Sequence, residues 1–275
     1  MSHPTLSPSH FVDALAELER SLTWQSLDVD GHVWRWLDTG GSGPTALLLP
    51  GSVGDGGMFV TTLSALRSRA RLVAVTYPAL SEPERLADGL AHVMRHLDLA
   101  SAVVVGSSFA AYWAQFFALR HPERVRALVL GNGLVDSHDL SYDPLFVPAY
   151  LESVSPKELH AAWIARVGNS PISPLQQLQS LMLADRQTSE NLHARLLGVG
   201  RAKVCPPLSL PMAVVTVLDC DDDPLMPPAV RARLRSRYLG ARHISLPTGG
   251  HYPHLLNPQA YQDLLSEVLS IAEAA

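Results

Sequence analysis

A chain of 275 residues, 47% of them apolar, can bury one sizeable core but is short for two independent enzyme domains, so one α/β domain with an insertion is expected. Its 21 basic and 26 acidic residues give a formal charge of −5, spread without long blocks, which argues against nucleic acid or an anionic membrane as partner. Met1 to Arg20 lacks a basic stretch followed by an apolar one, and nowhere do about eighteen apolar residues run together, so no membrane insertion and a cytoplasmic location are expected.

In chain order, Phe11, Leu15 and Leu18 mark a short amphipathic start. Thr23–Val29 and His32–Leu37 flank Asp30-Gly31 and read as a hairpin. Thr45–Leu49 is apolar after its first residue and ends in Pro50-Gly51, which suits a strand covered on both faces. The pattern recurs at Leu72–Val75, Ala102–Val105, Ala127–Leu130, Ala213–Leu218 and, more weakly, His243–Leu246. Helical spacing lies between these runs at Met58–Leu66, Pro83–Leu97, Ala110–Leu119 and Pro258–Ile271, the last with Asn257 as its expected cap. Such alternation predicts a mostly parallel, doubly wound sheet. Residues 135–208 break it with several prolines, helical fragments such as Pro156–Val167 and Pro174–Leu183, and no buried strand. They are expected to form a helical lid inserted between core segments 1–134 and 209–275.

The sharpest local signal is Val103-Val104-Val105-Gly106-Ser107-Ser108-Phe109-Ala110-Ala111, a buried strand, a turn of small residues and a helix. That is the setting of a nucleophile elbow, in which a serine at a strained turn projects its hydroxyl above the sheet. Ser108 fits the third position of G-x-S-x-G, with Ala110 in place of the last glycine; Ser107 falls before the tip. A hydroxyl needs a base within reach and an acid to orient that base. The strand Val214–Asp223 runs into an acidic loop from which Asp223 is the expected acid, with Asp222 as its rival. The spacing of Asp219, Asp221, Asp222 and Asp223 matches no calcium loop. His251, after Thr248-Gly249-Gly250 and the last strand, is the expected base. His254 is expected to pack or face solvent, since the H-x-x-H pair lacks a third metal ligand. Cys205 and Cys220 form no C-x-x-C pair and read as reduced, structural thiols.

Carbonyl attack by Ser108 would put negative charge on an oxygen, so donors must already be aimed there. Phe109 N–H is the expected first donor. Ser52 N–H, on the Pro50-Gly51-Ser52-Val53-Gly54 loop, is the second, with Val53 as alternative. That loop lacks the phosphate-binding pattern G-x-x-x-x-G-K-[ST]. No metal or organic cofactor is called for. Trp113, Tyr142, Phe146 and Tyr252 are expected to line a site for a small-molecule substrate with an apolar acyl or aryl group, and homodimerisation is left open.

Through Leu-Pro-Gly-Ser, Val-Gly-Ser-Ser-Phe-Ala, Asp-Asp-Pro-Leu-Met-Pro and Gly-Gly-His-Tyr-Pro-His-Leu the chain resembles the α/β-hydrolase superfamily over most of its length. Within it, Val75-Thr76-Tyr77-Pro78, Leu130-Gly131-Asn132-Gly133-Leu134-Val135-Asp136 and Leu246-Pro247-Thr248-Gly249-Gly250 resemble the maspardin-like group. The resemblance implies an α/β-hydrolase fold, with Ser, Asp and His in the order found here. It also implies Pro50-Gly51 where most of the superfamily has His-Gly. The maspardin-like group is regarded as non-catalytic and lacks a histidine at the place of His251; this chain keeps both that histidine and the acid. The expected function is therefore a serine hydrolase acting on an ester, thioester or lactone through an acyl-enzyme. A binding or adaptor protein, and acyl transfer or carbon–carbon cleavage, are the alternatives.

Overall fold

The computed structural model describes residues 6–274. Helix α1 (His10–Ser21) is followed by the hairpin β1 (Gln25–Val29) and β2 (His32–Asp38), then β3 (Thr45–Leu49), α2 (Val60–Leu66), β4 (Arg71–Thr76) and α3 (Pro83–His96). Next come β5 (Ala102–Ser107), α4 (Phe109–Arg120) and β6 (Val125–Gly131). The chain then makes only helices, α5 (Pro148–Ser153), α6 (Pro156–Gly168), α7 (Pro174–Leu181) and α8 (Ser189–Gly200), with short 3-10 turns and a π-helical turn at Met182–Arg186. It returns to the sheet through β7 (Val215–Cys220), α9 (Pro228–Arg237), β8 (Arg242–Leu246), α10 (Pro253–Leu256) and α11 (Pro258–Ala274).

The strands form one eight-stranded sheet in the order β1-β2-β4-β3-β5-β6-β7-β8. The β1–β2 and β2–β4 pairs are antiparallel and the remaining six strands run parallel. Because β-strand side chains alternate between faces, each central strand feeds two cores. Leu47, Leu49, Val104, Leu128, Leu130, Val215 and Val217 pack with α3, α4 and the inserted helices. Ala46, Leu48, Val103, Val105, Ala127, Val129 and Leu218 pack with α1, α2 and α11. Both faces are thus dry, which explains the uninterrupted apolar runs. At the edge, β8 alternates between half-buried and exposed positions before Leu246, hence its weaker signal.

Three local departures from the sequence pattern have physical causes. Residues Met212–Val214 form a 3-10 turn after Pro211, so β7 starts at Val215 and not at Ala213. The Asn257 side chain donates to the Thr248 carbonyl at 2.9 Å and, among the described residues, does not cap α11; it ties that helix to the loop before His251. Helix α8 ends in Gly-Val-Gly, a composition that hides a helix. Gly198 is nevertheless required there, since a Cβ would stand 2.6 Å from Phe109 Cζ and 2.8 Å from the Ser81 carbonyl. Among the described residues no helix is long and apolar enough to cross a membrane.

Candidate active site

The parallel strands end together, and the loops that leave their C-terminal ends hold the chemistry, as expected for open α/β sheets. Strand β5 turns into α4 at Ser108, which sits at φ +54°, ψ −119°, a backbone conformation that side chains rarely adopt. The turn is held by the Ser108 N–H donating to the Gly131 carbonyl at 2.8 Å. It also needs Gly106, because a Cβ there would stand 2.6 Å from the Ala110 carbonyl oxygen and 2.7 Å from Ala111 Cα. The alanine at the fifth position is accommodated, whereas a methyl at the first would force the backbone of α4 to shift.

Ser108, His251 and Asp223 are brought together. His251 Nδ1 lies 2.8 Å from Asp223 Oδ2, and its Nε2 lies 2.8 Å from Ser108 Oγ. With Nδ1–H donated to the carboxylate, Nε2 is left as acceptor for the serine hydroxyl. Ser107 is buried in β5. Asp222, its acid rival, instead accepts from the Gly249 and Gly250 amides at 3.2 and 2.7 Å and shapes the loop that presents His251. Asp219 and Asp221 are engaged by Arg231, and Asp219 by Arg235 as well.

Burial would raise the Asp223 carboxyl, but the His251 charge and hydrogen bonds from His251, Asn132 and Leu225 N–H outweigh it and hold the group below its ordinary range. Asn132 is the partner that sequence reasoning missed. It follows β6 at φ +47°, donating Nδ2 to Asp223 Oδ2 and, at 3.1 Å, to the Gly250 carbonyl. One amide thereby ties Asp223 to the loop that carries His251. The signal was a Gly-Asn-Gly turn at a strand end, since asparagine tolerates left-handed backbone better than most residues.

His254 stands apart from this relay. It is buried between Phe59 and Tyr261, with ring centroids 4.7 and 5.7 Å away. Neither of its ring nitrogens has a partner among the described residues. Burial first, and the neighbouring His251 charge second, push it down to about 3.

A cavity of about 30 Å³ adjoins Ser108. Gly51, Ser52, Val53, Ser107, Ser108, His251 and Tyr252 line it from the sheet side, and Leu140, Phe146, Trp163, Val199 and Leu225 complete the wall. Its volume holds only about two water molecules. Of the expected substrate contacts, Phe146 and Tyr252 reach it. Trp113 does not: it is fully buried in the core with its ring edge-on to Tyr77 at 5.3 Å, because its helix face looks at β-sheet and α3. Tyr142 is 54% exposed and does not line the cavity, although its hydroxyl donates to the carbonyl of the lining residue Leu225 at 2.8 Å. Leu140, Trp163 and Val199 were not singled out from sequence, since they meet only through tertiary packing.

The loop after β3 approaches closest at Gly51, where a Cβ would stand 3.1 Å from Ser108 Cβ. Ser52 and Val53 line the same cavity, and among the described residues neither amide N–H donates to a protein acceptor. A hydroxyl, a base–acid pair and uncommitted amides around one small apolar space can together carry out acyl transfer to and from serine. A groove of about 520 Å³ lined by Leu6, Phe11, Leu255 and Leu256 is roomier but is lined by none of Ser108, Asp223 and His251.

Comparison with known proteins accords with this architecture. The profile of the Alpha/beta hydrolase family matches residues 46–264. The protein named carbamate hydrolase RutD in Pantoea ananatis is 26% identical over 246 residues, covering 82% of this chain and 88% of that one. Maspardin of Homo sapiens is 24% identical over 244 residues, covering 83% of this chain and 76% of its own. Among solved structures, a thermophilic esterase from Thermogutta terrifontis superposes with a TM-score of 0.73 at 22% identity, over 90% of this chain and 99% of the esterase.

Proposed function

Because this chain belongs to the Alpha/beta hydrolase family, we propose that it is a serine hydrolase that cleaves a carboxylic ester-like bond through an acyl-enzyme. The observation that carries the reading is the unbroken relay of 2.8 Å contacts from Ser108 Oγ through the His251 imidazole to Asp223. His251 Nε2 takes the Ser108 proton as Oγ attacks the carbonyl carbon, and Asp223 stabilises the imidazolium. The Phe109 N–H and that of Ser52 or Val53 hold the oxyanion. Collapse breaks the bond to the leaving oxygen, or sulfur in a thioester, which takes the proton from His251. Water then gives a proton to His251 while its oxygen attacks the acyl carbon, and the bond to Ser108 Oγ breaks as His251 returns that proton to Oγ, releasing the acid.

Residues 135–208 act in this reading as the lid that closes the acyl site. The wall they contribute is apolar, so an uncharged, small acyl group in an ester, thioester or lactone is the substrate class that fits. The likeness to maspardin motivates a second reading, a binding protein on an inherited fold, but a strained serine tied to a base–acid pair has no role in it. Acyl transfer would use the same relay, with an alcohol or amine replacing water. Hydrolysis of p-nitrophenyl acetate separates the readings. Ser108→Ala and His251→Ala should each lower turnover by about three or more orders of magnitude, and the double variant by little more, because the pair acts as a unit. Turnover indifferent to Ser108→Ala would leave the binding reading.

A further inference from the structure

A fully buried arginine sits behind the loop after β3. Arg195, on the inserted helix α8, has no carboxylate within ion-pair distance among the described residues. Its Nη1 donates to the carbonyls of Gly51 at 3.1 Å and Gly54 at 2.7 Å, its Nη2 donates to the Tyr77 carbonyl at 3.0 Å, and its guanidinium carbon lies 3.8 Å from the Tyr77 ring centroid. An unpaired buried cation is costly, and an apolar residue of similar size would stabilise the fold at least as well. Packing therefore does not account for it.

Gln187, at the end of the π-helical turn, grips the same loop. Its Nε2 donates to the Ser52 carbonyl at 2.7 Å, while its Oε1 accepts from the Gly54 N–H at 2.9 Å. In a planar trans peptide the C=O and the following N–H point to opposite sides, so holding one aims the other. Arg195, with the Tyr77 hydroxyl donating at 2.9 Å, pulls back the Gly51 carbonyl and so turns out the Ser52 N–H. Gln187 pulls back the Ser52 carbonyl and so turns out the Val53 N–H. A cation on the carbonyl side also polarises the peptide and strengthens its N–H as a donor.

We propose that Arg195 and Gln187 are positioning residues of the inserted helices, which aim and polarise the Ser52 and Val53 amides for the oxyanion formed at Ser108. This rests on the serine-hydrolase reading and deepens it, since it makes the insertion part of the oxyanion site as well as its cover. It also accounts for the glycine at position 51, whose carbonyl faces the guanidinium while a Cβ there would stand 3.1 Å from Ser108 Cβ.

The test compares wild type, Arg195→Met, Arg195→Lys and Gln187→Glu by kcat and KM on p-nitrophenyl acetate, by melting temperature, and by affinity for an alkyl boronic acid. The boronate adds to Ser108 Oγ and leaves an oxygen where the oxyanion forms. Arg195→Met should lower kcat by about ten- to a hundredfold, with boronate affinity falling in parallel and KM moving by no more than about twofold. Arg195→Lys keeps the charge and should recover part of the loss. Gln187→Glu keeps the acceptor for Gly54 and removes the donor to Ser52, so it reports on the same amides even if Arg195→Met does not fold. Folded variants with undiminished kcat and boronate affinity, beside a Ser108-dependent wild type, would overturn the positioning role alone. A kcat loss that follows melting temperature while boronate affinity stays constant would do the same. A wild type that binds no boronate through Ser108 would overturn the serine-hydrolase reading and this role together.

Discussion

Adjacent aspartates show how finely a site is set at the scale of single residues. Asp223 and Asp222 are indistinguishable by type, yet one orients the His251 imidazole and the other the two glycines before it. Asp223→Asn should lower kcat by about four orders of magnitude, as loss of the orienting carboxylate does in other triads, whereas Asp222→Asn should cost far less. Steady-state kinetics of the two variants read the difference directly. That Ser108 and His251 would meet was legible because a strand, a small-residue turn and a helix, or a strand and two glycines, are local patterns. Asn132 was not, because its role depends on a contact with Asp223 on a different strand. Trp113 was misplaced because an aromatic on a helix gives no sign of which neighbour it faces. His254 carries a separate consequence. Burial pushes it down to about 3 in the folded chain, against an ordinary value of 6.5 for the unfolded one, so the unfolded chain binds the extra proton between these values. Stability is fully present above the unfolded value and is lost as pH falls, by about 1.4 kcal/mol per pH unit from this group. Urea unfolding should show stability beginning to fall near pH 6.5 and approaching that slope toward about pH 5, and His254→Phe should flatten it.

Among the elements, a close approach of β5 and α4 presents Ser108 at the turn between them. Gly106 permits it, and Gly106→Ala should destabilise the fold by about 3 kcal/mol, since the added methyl meets backbone atoms that cannot move aside. A urea midpoint unchanged from wild type would show that the elbow relaxes more readily than its packing implies. The buried strands were legible from their unbroken apolar runs, which only a sheet covered on both faces requires. Helices α8 and α9 were not. The first is closed by glycines that serve packing on Phe109 and Leu151, and the second is arginine-rich with only Val230 and Leu234 buried. The helix that hid best is the one that carries Arg195.

Over the whole molecule, the insertion and the sheet are not separate masses. Leu140, Phe146, Leu159, Trp163, Leu192 and Val199 join the same core as β3, β5 and β6, and the cavity of about 30 Å³ lies within that junction. If the proposed acyl-enzyme forms, how far these helices can part sets the acyl length, and p-nitrophenyl acetate should have a higher kcat/KM than the octanoate. A preference for octanoate would mean that the insertion swings open in solution. That residues 135–208 carry no strand could be read in one dimension; that they also brace the loop after β3 could not, because Gly51 and Arg195 are joined only in the fold. The most direct measurement of the central claim is intact-protein and peptide mass spectrometry after treatment with a fluorophosphonate. The account predicts one covalent adduct per chain, located on Ser108 and lost in both Ser108→Ala and His251→Ala. A folded wild-type chain that stays unmodified, or an adduct on another residue, would contradict it.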